Sequence, residues 1–171
     1  MKSQLTLRNA VTEDLPQMLE IYNDIILNTT AIYDYDAHTL EMRTNWFNDR
    51  MKQNLPVIVA ADGEEIVGFG SFGLFRAWAA YKFSVEHSVY VKNNQRGKGI
   101  GRMVLAQLIV EAENRNFHTM LAGIDASNEA SIRLHEQLGF KEVAHFKEVG
   151  YKFDRWLDLK FHQLILKNAA K

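Results

Sequence analysis

The chain of 171 residues has no cysteine and only two prolines. Without thiols it forms no disulfide, carries no thiolate nucleophile and builds no cysteine-based zinc site, which suits a reducing compartment. It also lacks any block of like charge: 20 Lys and Arg stand against 21 Asp and Glu, a net charge of -1. Nonspecific nucleic-acid binding relies on clustered positive charge, so no nucleic-acid partner is expected. No apolar run approaches the roughly 20 residues that span a bilayer. The N-terminal segment lacks a charged stretch followed by an apolar core, so no signal peptide is expected either. These absences leave a cytoplasmic protein without a membrane partner. Apolar residues make up 47%, ample for a packed core, and the length suits one domain over residues 1–171.

Hydrophobic periodicity orders what is there. Leu5 and Leu7 read as a first strand, and Thr12 or Asp14 is placed to cap a helix with Leu15, Met18, Leu19 and Tyr22 on one face. Pro16 falls in its first turn, where proline is tolerated. Residues 24–38 have no clean period, and a second helix is expected over about Leu40 to Lys52. Val57 to Ala61 is an apolar strand, Asp62-Gly63 signals a hairpin, and Ile66 to Leu74 returns. Gly68, Gly70 and Gly73 predict bends or bulges in that returning strand.

After a loop over Phe75 to Ala80, residues Phe83, Val85, His87, Val89 and Val91 alternate on one strand face, with Glu86, Ser88 and Tyr90 on the other. A helix from Ile100 ends near Asn116, and Met120 to Ile124 is a further strand. Ser127 or Asn128 caps a helix running to Leu138, which Gly139 stops. Two last strands are expected over Lys141–Phe146 and Phe153–Leu166. The order β-α-α-β-β-β-α-β-α-β-β predicts an α/β (α+β) domain, a mixed sheet with helices on both sides.

The segment Val89-Tyr90-Val91 leads through Lys92, Asn93, Asn94 and Gln95 into Arg96-Gly97-Lys98-Gly99-Ile100-Gly101-Arg102, a strand running into a glycine turn that opens a helix. At a helix start the first N–H groups lack intrahelical partners, and the macrodipole is positive there. Glycines remove side chains that would hold a ligand away, so such a turn suits a phosphate or pyrophosphate. A Walker A loop would need Lys and Ser or Thr where Arg102 and Met103 stand. A dinucleotide fingerprint would need its third glycine at position 102, which is Arg102. A third pattern, Gln/Arg-x-x-Gly-x-Gly/Ala, matches from Gln95 or Arg96 onward, and a glycine turn with no ligand is the plain alternative.

A second motif follows about 26 residues later: Asp125-Ala126-Ser127-Asn128-Glu129-Ala130-Ser131-Ile132-Arg133-Leu134-His135-Glu136-Gln137-Leu138-Gly139-Phe140. Together, and in this order, the two motifs resemble the signatures of the GNAT family of N-acetyltransferases, which bind acetyl-CoA. The resemblance extends over nearly the whole chain. Val85-Glu86-His87-Ser88-Val89-Tyr90-Val91, Leu134-His135-Glu136 and Phe153-Asp154-Arg155-Trp156-Leu157-Asp158 are similar to the phosphinothricin and methionine sulfoximine acetyltransferase branch. It implies the GNAT fold, a mixed, mostly antiparallel twisted sheet flanked by helices on both faces. It also implies acetyl-CoA as co-substrate, no metal, and acetylation of the α-amino group of a small amino acid or analogue. Members of the branch are typically homodimers, and the tail from Trp156 to Leu166 is a candidate surface, although its alternation fits a core strand equally.

The same resemblance distributes roles. Val89, Tyr90 and Val91 would pair through their backbone with the pantetheine arm. Arg96, Gly97, Lys98, Gly99, Ile100, Gly101 and Arg102 would hold the pyrophosphate, and Asn128 and Ser131 the CoA chain near the thioester. Solvated cations at Lys98 and Arg102 and a plain helix cap at Asn128 are the alternatives. An amine attacks a thioester only when neutral, so an α-ammonium needs a base. Glu86, a carboxylate within an apolar strand, is the candidate, acting directly or through a water. His135 stands where many relatives carry the tyrosine that protonates the leaving thiolate, and a packing histidine is the alternative reading.

Arg76 is suited to clamp a substrate carboxylate. Ala77 and Trp78 would wall the pocket, and His87 and Ser88 would add polar groups beside the base. Arg43 and Tyr33 are weaker candidates. A peptide N-acetyltransferase and a non-catalytic acetyl-CoA sensor are the competing functions.

Overall fold

The computed structural model describes residues 5–167. Their elements follow the expected order: β1 (Leu5–Asn9), α1 (Leu15–Asn28), α2 (Leu40–Lys52), β2 (Val57–Asp62), β3 (Glu65–Leu74), β4 (Ser84–Val91), α3 (Ile100–Asn114), β5 (Thr119–Asp125), α4 (Glu129–Gln137), β6 (Lys141–Lys152) and β7 (Arg155–Ile165). The strands form one sheet in the order β1-β2-β3-β4-β5-β7-β6. Every pairing is antiparallel except β4 with β5, whose connection is the α3 crossover.

Two cores cover the two faces. On one face α1 and α2 bury Leu15, Met18, Ile21, Ile25 and Phe47 against Val57, Val59, Ile66 and Phe69. On the other α3 buries Ile100, Val104, Leu105 and Leu108 against Ile58, Val67, Phe72, Val85 and Met120. Central β2 is covered on both sides, which is why its sequence is a continuous apolar run rather than an alternation. Each such aliphatic side chain contributes about 1.5–3 kcal/mol by leaving water.

Local chemistry departs from expectation in four places. Neither Thr12 nor Asp14 caps α1 with its side chain: a 3-10 turn over Thr12–Asp14 runs straight into the helix. The Asp14 carboxylate turns back to accept the Val11 N–H at 2.8 Å and both Arg8 guanidinium nitrogens at 2.6 and 2.8 Å. Gly68 borders a bulge in β3, as expected, whereas Gly70 pairs in regular register. A Cβ at Gly70 would lie 2.8 Å from Val104 and 2.9 Å from Leu108, so these glycines let α3 sit close to the sheet. The register slips at Val67, between Ile66 and Gly68. Strand β6 runs on to Lys152 across an irregularity between Phe146 and Gly150, and Phe153 is a turn residue, left-handed at φ 52° like Asp154 at φ 56°. That two-residue hairpin turn lacks the usual glycine or asparagine at its first position, so the sequence hides it.

Candidate active site

Strands β4 and β5 pair only from Ser84↔Thr119 to Glu86↔Leu121 and then separate. Beyond that point β4 keeps its bonds to β3, down to Gly68↔Val91, while its other edge is open. The result is a cleft of about 800 Å³ at the C-terminal ends of the two parallel strands, where open α/β sheets bind ligands. Val89, Tyr90 and Val91 line it from β4, and Gly123, Ile124 and Asp125 from β5. An open strand edge offers unpaired backbone groups to an extended, strand-like ligand.

The glycine turn closes one end of that cleft. Gly97 and Gly99 have φ of 76° and 80°, the left-handed region that glycine enters without a Cβ penalty, and Gly99 is the residue preceding α3. A Cβ at either would meet no protein atom within 4 Å, so the space beside them is free for a ligand. The first helical bond of α3 runs from the Met103 N–H to the Gly99 carbonyl, which leaves the N–H groups of Ile100, Gly101 and Arg102 at the positive end of the helix dipole. Arg96, Gly97, Gly99, Ile100, Gly101 and Arg102 all line the cleft. Exposed Lys98 instead donates to Gln95 at 2.7 Å. The turn is thus an anion cradle built mainly from backbone donors.

Helix α4 forms the opposite wall. Asn128 is its N-cap, the side-chain oxygen accepting from the Ser131 N–H at 3.1 Å. Its amide NH2 remains available to the cleft, so the cap and a ligand contact are compatible. Buried His135 has both ring nitrogens engaged, Nδ1 at 2.6 Å from the Ser131 carbonyl and Nε2 at 3.1 Å from Nε2 of His87. Burial pushes the imidazolium form of both rings down, His87 the further.

Glu86 lies on the other side of the sheet with Ser88 and Tyr90, opposite Gly73 of β3. Its Oε1 would be 3.2 Å from a Cβ at Gly123, so the carboxylate lies across that bare strand position. No hydrogen-bond donor meets it among the described residues. Burial raises its pKa above the ordinary carboxylate value, and the charge of Arg76 partly opposes the rise. A half-buried, unpartnered carboxylate with raised proton affinity is suited to accept a proton.

The remaining expected residues are distributed as follows. Arg76 is exposed over the Phe75 ring, 4.9 Å from its centroid, and acts on Glu86 through space. Ala77 and Trp78 are exposed outside the cleft lining. Ser88 shares the face of Glu86, but His87 does not: strand alternation carries it to the α4 side, stacked on His135 and edge-on to Phe140. Arg43 is buried with its guanidinium 3.8 Å from the Tyr22 ring centroid and 4.7 Å from that of Trp46. Tyr33 donates to the Asp125 carboxylate at 2.9 Å, and its own pKa is raised by burial and that carboxylate. The cleft also takes in Thr29, Thr30 and Ala31 after α1, from the segment without periodicity. Gly123, interrupting an apolar strand, was the one sequence signal of a close approach at β5.

Comparison with known proteins converges on one group. The model of the "Acetyltransferase (GNAT) family" matches residues 15–140. An L-methionine sulfoximine/L-methionine sulfone acetyltransferase of Pseudomonas aeruginosa is 45% identical over 162 residues, 94% of each chain. A phosphinothricin N-acetyltransferase of Streptomyces coelicolor is 34% identical over 94% of this chain and 96% of its own. A putative acetyltransferase of Salmonella typhimurium, solved with its cofactor acetyl-CoA, superposes with a TM-score of 0.94 at 42% identity, over 98% of this chain and 96% of its own.

Proposed function

The chain belongs to the acetyltransferase (GNAT) family, and we propose that it acetylates the α-amino group of a small amino acid or analogue, of the methionine sulfoximine, methionine sulfone or phosphinothricin type, with Glu86 as general base. The observation that carries this reading is the Glu86 carboxylate, half-buried and without a hydrogen-bond donor at the point where β4 and β5 part. Acetyl-CoA supplies the acetyl group as a thioester. The backbone donors of Gly97 to Arg102 hold its pyrophosphate, and the open edge of Val89 to Val91 receives its extended arm. Glu86 takes a proton from the substrate ammonium, directly or through a water. The freed amine attacks the thioester carbonyl carbon to give a tetrahedral intermediate, and as the C–S bond breaks its nitrogen sheds a second proton, which neutralises the departing thiolate. No covalent enzyme intermediate is needed, in keeping with a chain without cysteine. The enzyme works as a homodimer, a reading supported by the exposed Val149, Tyr151, Phe153 and Trp156 on the β6–β7 hairpin.

A thiol-release assay with acetyl-CoA across a panel of amino acids, their analogues and short peptides tests the activity. Glu86→Gln is expected to lower turnover by about 100-fold or more while acetyl-CoA affinity stays nearly intact. Undiminished turnover in that variant removes Glu86 as the base. Turnover of peptides alone would favour the peptide acetyltransferase, and binding without any turnover a sensor.

A further inference from the structure

Helix α2 carries a second cation on the face of the sheet that holds Glu86. The Arg50 side chain makes no hydrogen bond or ion pair among the described residues, and its Nε is buried without a partner. Burial disfavours its charge, and only neighbouring Asp49 acts in the other direction. Packing holds the group in place: the guanidinium lies 5.7 Å from the Trp46 ring centroid and fills the space above Gly73. A Cβ on Gly73 would lie 2.8 Å from both terminal nitrogens and 2.9 Å from Cζ. Gly73 is the residue directly opposite Glu86 in the antiparallel β3–β4 pair, so the guanidinium, reaching down from α2, lies over the sheet face from which Glu86 projects.

We propose that the Arg50 guanidinium binds the carboxylate of the amino-acid substrate, holding it across β4 from Glu86. The assignment rests on the amino-acid acetyltransferase reading above. A half-buried cation whose Nε is out of water and without a partner is costly unless an anion completes it. A guanidinium presents the paired donors that a carboxylate accepts.

The two groups leave room for such a ligand. Glu86 leans over Gly123 of β5 and Arg50 over Gly73 of β3, so two glycines flank the base and leave the floor bare. Strands β3 and β5 flank β4 and stand about 10 Å apart where all three pair, and further at Gly123, where β5 has already parted from β4. An α-amino acid between them needs two charge-assisted bonds of about 2.8 Å plus the ~3 Å from its nitrogen to a carboxylate oxygen, roughly 9 Å in all. Arg76, exposed on its loop, is left to tune Glu86 and contact the distal part of the substrate.

The test compares methionine sulfone with its carboxamide in the wild type, Arg50→Gln, Arg50→Lys and Gly73→Ala. For the acid, Arg50→Gln is expected to raise KM about 10- to 100-fold, with a smaller change in kcat and an unchanged KM for acetyl-CoA. Arg50→Lys recovers part of the loss. Gly73→Ala keeps the charge but pushes the guanidinium aside, and raises KM for the acid alone. The carboxamide, already a poor substrate of the wild type, is little affected by any of the three. Equal losses for acid and carboxamide would make Arg50 a packing residue and overturn the proposal, as would an unchanged KM in Arg50→Gln. A wild type that acetylates peptides but neither small substrate would instead overturn the amino-acid reading, and this assignment with it.

Discussion

His87 and His135 meet Nε2 to Nε2 at 3.1 Å, their rings stacked with centroids 5.0 Å apart. A carbonyl only accepts, so the Ser131 oxygen at 2.6 Å fixes the proton of His135 on Nδ1. Its Nε2 is then an acceptor, and His87 must donate through its own Nε2. Both rings are neutral, and one chain of donors runs from β4 through α4. Neutral His135 thus has no spare N–H to offer the cleft, which favours packing over proton donation for this ring.

The neutral pair makes stability depend on pH. Both folded pKa values lie below the ordinary 6.5 because of burial. Unfolded histidines therefore bind protons that the folded ones refuse, so the contribution is full above pH 6.5 and is lost as pH falls toward the folded values. Each such histidine adds about 1.4 kcal/mol of stability change per pH unit in that window. Urea unfolding at pH 7 and pH 5.5 should show the slope reduced in His87→Leu. Parallel curves would mean that the pair takes up protons without unfolding.

At Glu86, burial raises the pKa and Arg76 opposes it. Removing that positive charge leaves burial unopposed, so the ascending limb of kcat/KM against pH should move to higher pH in Arg76→Gln. Because Arg76 is exposed, high salt should shift the wild-type limb the same way. A limb indifferent to both changes belongs to another group.

Gly99 separates backbone strain from packing. Its φ of 80° costs an alanine about 1–2 kcal/mol, while the added Cβ touches no protein atom within 4 Å. Calorimetry on Gly99→Ala should find acetyl-CoA affinity lowered by about 10-fold, with little loss of unfolding stability beyond the strain. Unaltered affinity would place the pyrophosphate elsewhere.

Gly70 is the packing counterpart. An added methyl there would press on Val104, Leu108 and the Ser88 carbonyl, all within 2.9 Å. Gly70→Ala should therefore destabilise the fold by about 1–3 kcal/mol. At Gly101 the contacts would be ordinary, 3.5 Å or more, and alanine there should leave the melting temperature nearly unchanged.

Period and turn chemistry are local, so the sequence alone determined the element order, the apolar run of β2, the Gly97–Gly99 cradle and the Asn128 cap. It also determined the opposition of Glu86 and His87, since alternation puts neighbours on opposite faces. The hairpin turn at Phe153 and the self-contained Asp14–Arg8 pair escaped it, because neither carries the usual residue signal. Only the tertiary structure decided where β4 and β5 part, which turns an anion cradle at a helix start into one end of a through-sheet cleft. It also decided that Gly73 serves no bend but clears space for the guanidinium of Arg50, from a helix earlier in the chain. Such choices depend on which distant side chains share a face and how much room each leaves, and no window along one chain contains that information.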